Sequence, residues 1–340
     1  MWCTAAPEDA VYEKKSKGSS PSPSMVDGAP STGRRRICVA AESDSRAAVE
    51  SWRRGGKGSG GASPCLPAKG MGQRMRMSPA REDEPTTGWS AYHRLQAGES
   101  AGYYGVSVTM DVYALSLSNN QYSSAGIQIS SGEDGAVDEN IIKIGLELYP
   151  RMYGGDSRTH LGALWTTNGS KKRCSNTNCP GFQPEAGATL VLGHIIELVS
   201  RPNGTKQTIT IKVLKDYSAS GDWLVHCGLN QRDPTLIGRY PKSLFTGGLA
   251  DRATHIHIGG VVVAWTGDLV PMGSGYLPTE KAMATAMAAS FSNIQIVDLN
   301  GQASLLSPNL SGYMSSPDTY SVSPVINGKF FYGGPFQLTS

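Results

Sequence analysis

The sequence predicts an all-β fold, two antiparallel β-sheets forming a β-sandwich, preceded by a disordered N-terminal segment. Three observations carry this expectation. The 340 residues include 41 glycines and 20 prolines, and only 17% are charged. That suits short strands joined by turns rather than long helices rich in Glu, Lys and Ala. From about Gly88 onward, short runs rich in β-branched and aromatic residues alternate with Gly, Asn, Asp and Ser turns. Before that point the chain has no sustained periodicity.

Taken in order, residues 1–87 contain "GSSPSPSMVDGAPSTGRRR" and "GGKGSGGASP". They cannot bury enough apolar surface to offset the entropy of ordering them. The "RRR" at Arg34 to Arg36 is broken up by acids nearby and belongs to a solvated tail. A single domain follows over residues 88–337. Its strand candidates are "GVSVTMDVYALSL" (105–117), "AGIQISS" (125–131), "IIKIGLELYP" (141–150) and "HLGALWTT" (160–167). The series continues with "ATLVLGHIIELVS" (188–200), "QTITIKVLKDY" (207–217), "DWLVHCG" (222–228), "THIHIGGVVVAW" (254–265) and "SNIQIVDL" (292–299). Strands at this spacing point to a two-sheet sandwich. Only "PTEKAMATAMAAS" (278–290) has helical character.

Charge narrows the partners. Residues 1–88 hold 14 Lys and Arg against 10 acids, and the remainder holds 17 against 18. The domain is nearly neutral, so nothing electrostatic favours nucleic acid or an anionic membrane. No run of about 18 apolar residues exists, so no membrane span is expected. The start, "MWCTAAPEDAVYEKKSKGSS", lacks the basic region and apolar stretch of a secretory signal.

Six cysteines stand at positions 3, 38, 65, 174, 179 and 227. Cys174 and Cys179 lie in a turn-rich segment, and a disulfide closing that small loop contributes about 2 kcal/mol. A zinc site would want a second ligand pair nearby, and none is present. Cys227 alternates with Trp223 and Val225, as a buried free thiol would. The sequons at Asn168, Asn203 and Asn309 fall in expected loops. With the cysteine pair they lean toward an oxidising, secretory compartment, against the missing signal. A wrongly defined N-terminus would reconcile the two.

Strand parity defines a surface. In residues 141–149, Ile142, Ile144, Leu146 and Leu148 share one side, and Lys143, Gly145 and Glu147 share the other. In "HIHIGGVVVAW", Ile256, Ile258, Gly260 and Val262 match a core side, leaving His255, His257, Gly259, Val261 and Trp265 opposite. If both strands belong to one sheet, one surface carries Lys143, Glu147, His255, His257 and Trp265.

The segments "YYG" (103–105), "GLELYPRMYGGD" (145–156), "LWTTNG" (164–169), "CSNTNCPGF" (174–182), "GDWLVHCG" (221–228), "IGRYPKSLF" (237–245), "IHIGGVVV" (256–263), "MGSGYLP" (272–278), "NIQIVD" (293–298) and "FYGGP" (331–335) occur in this order. As a set they resemble neprosin-like proteins. The resemblance implies a domain of two antiparallel sheets in a largely plant, secreted family. Its mechanism is that of glutamic peptidases cleaving beside proline. The family's usual signal peptide, pro-segment and C-terminal disulfide are not recognisable here.

Such hydrolysis needs two glutamates facing each other around a water, because paired carboxyls keep one proton between them and work as acid and base. The resemblance carries the first glutamate onto Lys143, aligned on Gly145 and "YPRMYGGD". It carries the second, from a "W-G-G-E-V" pattern, onto Val261 within "IGGVV". A lysine is cationic at acidic pH, and valine has no proton to exchange.

The expected function is therefore a catalytically inactive member that retains a groove for proline-rich or otherwise extended polypeptide, using Glu147, His255, His257 and Trp265. Two alternatives stand beside it. One is an active glutamic-type peptidase with a rearranged pair such as Glu147 and His257. The other is a metal- or small-ligand-binding sandwich, with His255, His257 and Glu147 as the only candidate ligands. No cofactor is expected, and likeness to the family implies an extracellular location.

Overall fold

The computed structural model describes residues 87–337 except 99–100, 133–135, 218–219, 266 and 309. Residues 1–86 of the expected disordered segment, with its three cysteines, and Asn309 lie outside the described residues; Thr87, the last residue of that segment, begins a strand instead.

The chain forms β1 (Thr87–Gln96), β2 (Gly105–Asp111), β3 (Gln121–Ser131), β4 (Asn140–Leu148), β5 (His160–Thr167) and β6 (Lys172–Ser175). Then come β7 (Gln183–Pro184), β8 (Thr208–Lys215), β9 (Trp223–Leu229), β10 (Thr235–Tyr240), β11 (His255–Ala264) and β12 (Met272–Gly273). The last are β13 (Ala289–Val297), β14 (Ala303–Leu305), β15 (Gly312–Met314), β16 (Ser321–Val322) and β17 (Phe330–Gly334). They make two antiparallel sheets. One has seven strands in the order β15-β1-β11-β3-β4-β5-β6, and the second runs β12-β17-β13-β2-β8-β9-β10-β7 with β14 and β16 attached at its side. The sandwich expected from the sequence is present.

The core fills the space between the sheets. Ile142, Ile144, Leu146 and Leu148 are no more than 5% exposed, and Ile256, Ile258 and Val262 are fully buried. They pack in one cluster with Val106, Val108, Ile209 and Ile211 of the other sheet. At about 25 cal/mol per Å² of apolar surface, this burial is the main force joining the sheets. Gly260 marks the interface, since a Cβ there would lie 2.7 Å from Met272 Sδ of the facing sheet.

Several elements differ from the sequence expectation, among them β10 and β17, which form in segments not read as strands. Residues 188–200 form no strand; an isolated bridge between Ile195 and His160 and a bond from the Gly193 amide to the Leu161 carbonyl join them to β5. Gly193, at φ 86°, turns the chain away from the edge. The helical segment shrinks to α1 (Glu280–Ala284), capped by Thr279, whose Oγ1 accepts from the amide of Ala282. Residues from Ala289 instead join β13, because pairing Phe291 with Phe330 and Met110 secures cross-strand packing that an alanine-rich helix lacks. Strand β1, not anticipated, pairs with β11 along its whole length.

Candidate functional site on the polar face of the seven-stranded sheet

Register builds the site. On the face turned away from the core, Lys143 pairs with Gln128, which pairs with His257, which pairs with Arg94. The next row along the same face is Gly162, Gly145, Gly126, Gly259 and Tyr92. The row after that is His160, Glu147, Ser124, Val261 and Ser90. The four glycines form a lane with no side chains of its own between two polar rows, over which the Lys143 and Glu147 side chains lie. The lane is structural: a Cβ on Gly145 would lie 2.1 Å from the Ala125 carbonyl oxygen, and one on Gly126 would lie 2.3 Å from that of Ile144.

Lys143 is half-buried and crosses this lane. Its Nζ donates to Ser124 Oγ at 3.0 Å and lies 5.8 Å from the centre of the Tyr122 ring. The two positions onto which the resemblance carries catalytic glutamates thus converge. Ser124 is the cross-strand neighbour of Val261 on one side and of Glu147 on the other. Burial pushes the Lys143 ammonium below its ordinary range, and the nearby Glu147 opposes this.

Glu147 is held from the opposite side. The Tyr153 hydroxyl donates to Glu147 Oε1, and Asn176 Nδ2 donates to that same hydroxyl at 2.9 Å. Asn176 is fixed in turn, since its Oδ1 accepts from the Ala163 amide at 2.8 Å and its own amide donates to the Ala163 carbonyl. It sits inside the loop closed by the Cys174–Cys179 disulfide. Burial raises the Glu147 carboxyl above its usual range, against the Tyr153 bond, Lys143 and Asn176. The Tyr153 ring stacks flat on His160, centroids 3.6 Å apart. Beside them opens a cleft of about 400 Å³ whose lining includes Tyr153, Asp156, His160, His194 and Glu197.

Aromatic rings stand at both ends of the face. Trp265 lies parallel to Tyr149 at 6.0 Å, with the Arg151 guanidinium 5.1 Å from its ring, and Tyr149 meets Tyr122 edge-on. Toward the other edge, Tyr92 stacks on His257 at 4.8 Å and on Tyr313 at 4.9 Å.

The sequence-derived candidates share this face but split into separate groups. His257 belongs to the row of Lys143, while Glu147 lies two strands and four residues away, about 16 Å between Cα positions at ordinary strand spacings. His255, buried, lies at 3.0 Å from Thr254 Oγ1 through its Nδ1. Among the described residues no group of three His, Cys, Asp or Glu is arranged to hold a metal ion. Asn168 and Asn203 both lie in turns, as expected of their sequons. Cys227 is a buried free thiol. Ser124, Tyr122, Tyr153 and Asn176 escaped the sequence reading. Parity places Ser124 on the polar side, and only the pairing of Gly126 with Gly145 brings it against Glu147.

The family model described as Neprosin matches residues 119–335. No curated protein matches the chain. Among solved structures, the chain is similar to Scytalido-glutamic peptidase with a peptide-based transition state analog, at 11% identity and TM-score 0.41, covering 74% of this chain and 100% of that one. It is also similar to SCP-B, a member of the Eqolisin family of peptidases, in complex with the tripeptide Ala-Ile-His. There the identity is 10% and the TM-score 0.38, over 74% of this chain and 100% of that chain. A third is the marine PL-14 alginate lyase from Aplysia kurodai, at 12% identity and TM-score 0.29, over 58% and 71% of the two chains.

Proposed function

Since the chain belongs to the Neprosin family, we propose that the polar face of its seven-stranded sheet binds an extended, proline-containing polypeptide and does not cut it by the two-carboxyl route. The observation that carries this reading is the pair of residues where the family resemblance calls for glutamates. Lys143 and Val261 stand there, and Glu147 alone remains as a carboxyl beside Ser124. A single carboxyl cannot serve as acid and base at once around one water.

The face keeps features that suit an extended chain. The Trp265–Tyr149 and Tyr92–Tyr313 stacks offer flat surfaces for proline rings at either end. The Cys174–Cys179 disulfide accords with an extracellular setting. No helix among the described residues is long and apolar enough to cross a membrane.

The test uses the full-length protein and a proline-containing peptide at about pH 3, where a carboxyl pair shares its proton. The unmodified protein leaves the peptide intact while a Lys143→Glu, Val261→Glu double variant is run beside it. Robust cleavage by the unmodified protein would overturn the reading. Binding is measured separately by retention on an immobilised proline-rich peptide, which Trp265→Ala is expected to abolish.

A further inference from the structure

The contact between Lys143 Nζ and Ser124 Oγ, at 3.0 Å, is more than a means of seating a lysine in a sheet. A serine hydroxyl within hydrogen-bond reach of an amine that can surrender its proton is the arrangement of a nucleophile and its base. The environment fits that chemistry. The lysine side chain crosses the lane opened by Gly126 and Gly145, and its amine ends against the buried Ser124. The Ser124 hydroxyl also pairs with the Tyr122 phenol. Burial acts on Lys143 in the direction that frees its lone pair.

We propose that Ser124 and Lys143 form an acyl-transfer pair acting on the amide or ester carbonyl of a polypeptide lying on this face. In the first half-reaction neutral Lys143 takes the Ser124 proton as Oγ bonds to the carbonyl carbon. The tetrahedral oxyanion then collapses, the carbon–nitrogen bond breaks, and the Lys143 ammonium passes its proton to the departing amine. In the second, Lys143 takes a proton from water as the water oxygen bonds to the acyl carbon. The ester bond to Ser124 breaks, and Oγ recovers the proton from Lys143. The sum is amide plus water giving acid plus amine, with no other reactant. This chemistry needs a neutral lysine, so it is silent under the acidic conditions in which a carboxyl pair works.

The substrate class rests on the polypeptide-binding reading, but the reactive pair is tested without it. The full-length protein is treated with a small fluorophosphonate at about pH 9 and at about pH 6, the more basic solution holding the larger share of neutral lysine. The expected result is a single adduct by intact mass, mapped to Ser124. Labelling rises about tenfold per pH unit until the lysine is neutral, since the fraction of free amine rises in that proportion. Ser124→Ala removes the adduct, and Lys143→Met slows labelling by about 100-fold, the usual scale of a lost general base. Because either variant could disturb the fold, circular dichroism accompanies each. Ser124→Cys supplies a further measurement, its alkylation by iodoacetamide being faster with Lys143 present than with Met in its place. No adduct at either pH, an adduct that persists in Ser124→Ala, or labelling indifferent to Lys143 would each overturn the proposal. Peptide retention is measured on the same proteins. Lost labelling with retained binding refutes the acyl-transfer pair alone, and preserved labelling with lost retention refutes the binding reading alone.

Discussion

The two sides of strand β4 were built by different rules. Its inner side is Ile142, Ile144, Leu146 and Leu148, all sealed against the second sheet. Its outer side is Lys143, Gly145 and Glu147, in a neighbourhood of Ser124, Tyr122, Tyr153 and Asn176. The inner side is specified by transfer of hydrocarbon from water, which tolerates any well-fitting aliphatic residue. The outer side is specified by which strand lies beside it and in what register. Its groups carry little of the stability and all of the candidate chemistry.

The largest effect that would test this division comes from the inner side. Ile144→Ala at a fully buried position should lower the unfolding free energy by about 2–5 kcal/mol, seen as a shift of the urea midpoint at unchanged slope. A loss under about 1 kcal/mol would mean that β4 is not anchored by its apolar side.

Gly145→Ala asks whether the outer side has a steric rule of its own. A methyl there meets the Ala125 carbonyl oxygen at 2.1 Å, and a backbone atom cannot swing aside as a side chain can. The expected cost is about 3 kcal/mol, the upper end for overpacking, rather than the gain that glycine replacement gives at unstrained sites. Equal or higher stability in the same urea titration would show that the strands can separate and that the lane is incidental.

Opening the disulfide should cost less and act at a distance. Replacing both Cys174 and Cys179 with Ser removes a small-loop closure worth about 2 kcal/mol. It also loosens Asn176, the residue that holds Tyr153 against Glu147. A midpoint shift of that size is expected, together with faster exchange of the Ala163 amide that Asn176 receives. Unchanged protection of that amide would detach the disulfide from the site.

Legibility in the sequence divides along the same line. The core side of β4 and β11 could be read by alternation alone, because apolar periodicity is a local property. The motifs around Lys143 and Val261 could also be read, since they are contiguous. Ser124 could not, although it lies in the middle of a recognisable strand region, because its importance comes from a residue 19 positions away. Tyr153 and Asn176 were inside quoted motifs yet had no visible role until the fold placed one on the other. Residues 188–200 misled for the converse reason. They have strand composition, but a glycine turn leaves them an isolated bridge and one further amide bond to β5. Strand β1 was missed because His93 stands in its buried series, where alternation expects an aliphatic residue.

The smallest expected effect separates the two charged groups of the outer side. Burial raises the Glu147 carboxyl, so the folded state resists its ionisation. Below about pH 4.3 the group is protonated whether the chain is folded or not and contributes nothing. As pH rises above that value the unfolded chain ionises first, and the stability cost of Glu147 grows until the pH passes its folded value and stays level beyond it. Glu147→Gln should therefore match the unmodified protein in acid and gain on it as pH rises. Lys143 has the opposite sign, because its folded value is lowered. It costs stability while the ammonium is forced on the folded state, and that cost lifts as pH climbs toward about 10.4. Lys143→Met should then show its gain at neutral pH and lose it in base. Both gains should be smaller than the disulfide effect, since each group keeps hydrogen-bond partners. Urea titrations of the three proteins from acid to base would read the two slopes. Parallel curves for all three would mean that Lys143 and Glu147 titrate as free surface groups, and the polar side of β4 would lose its claim to a distinct chemistry.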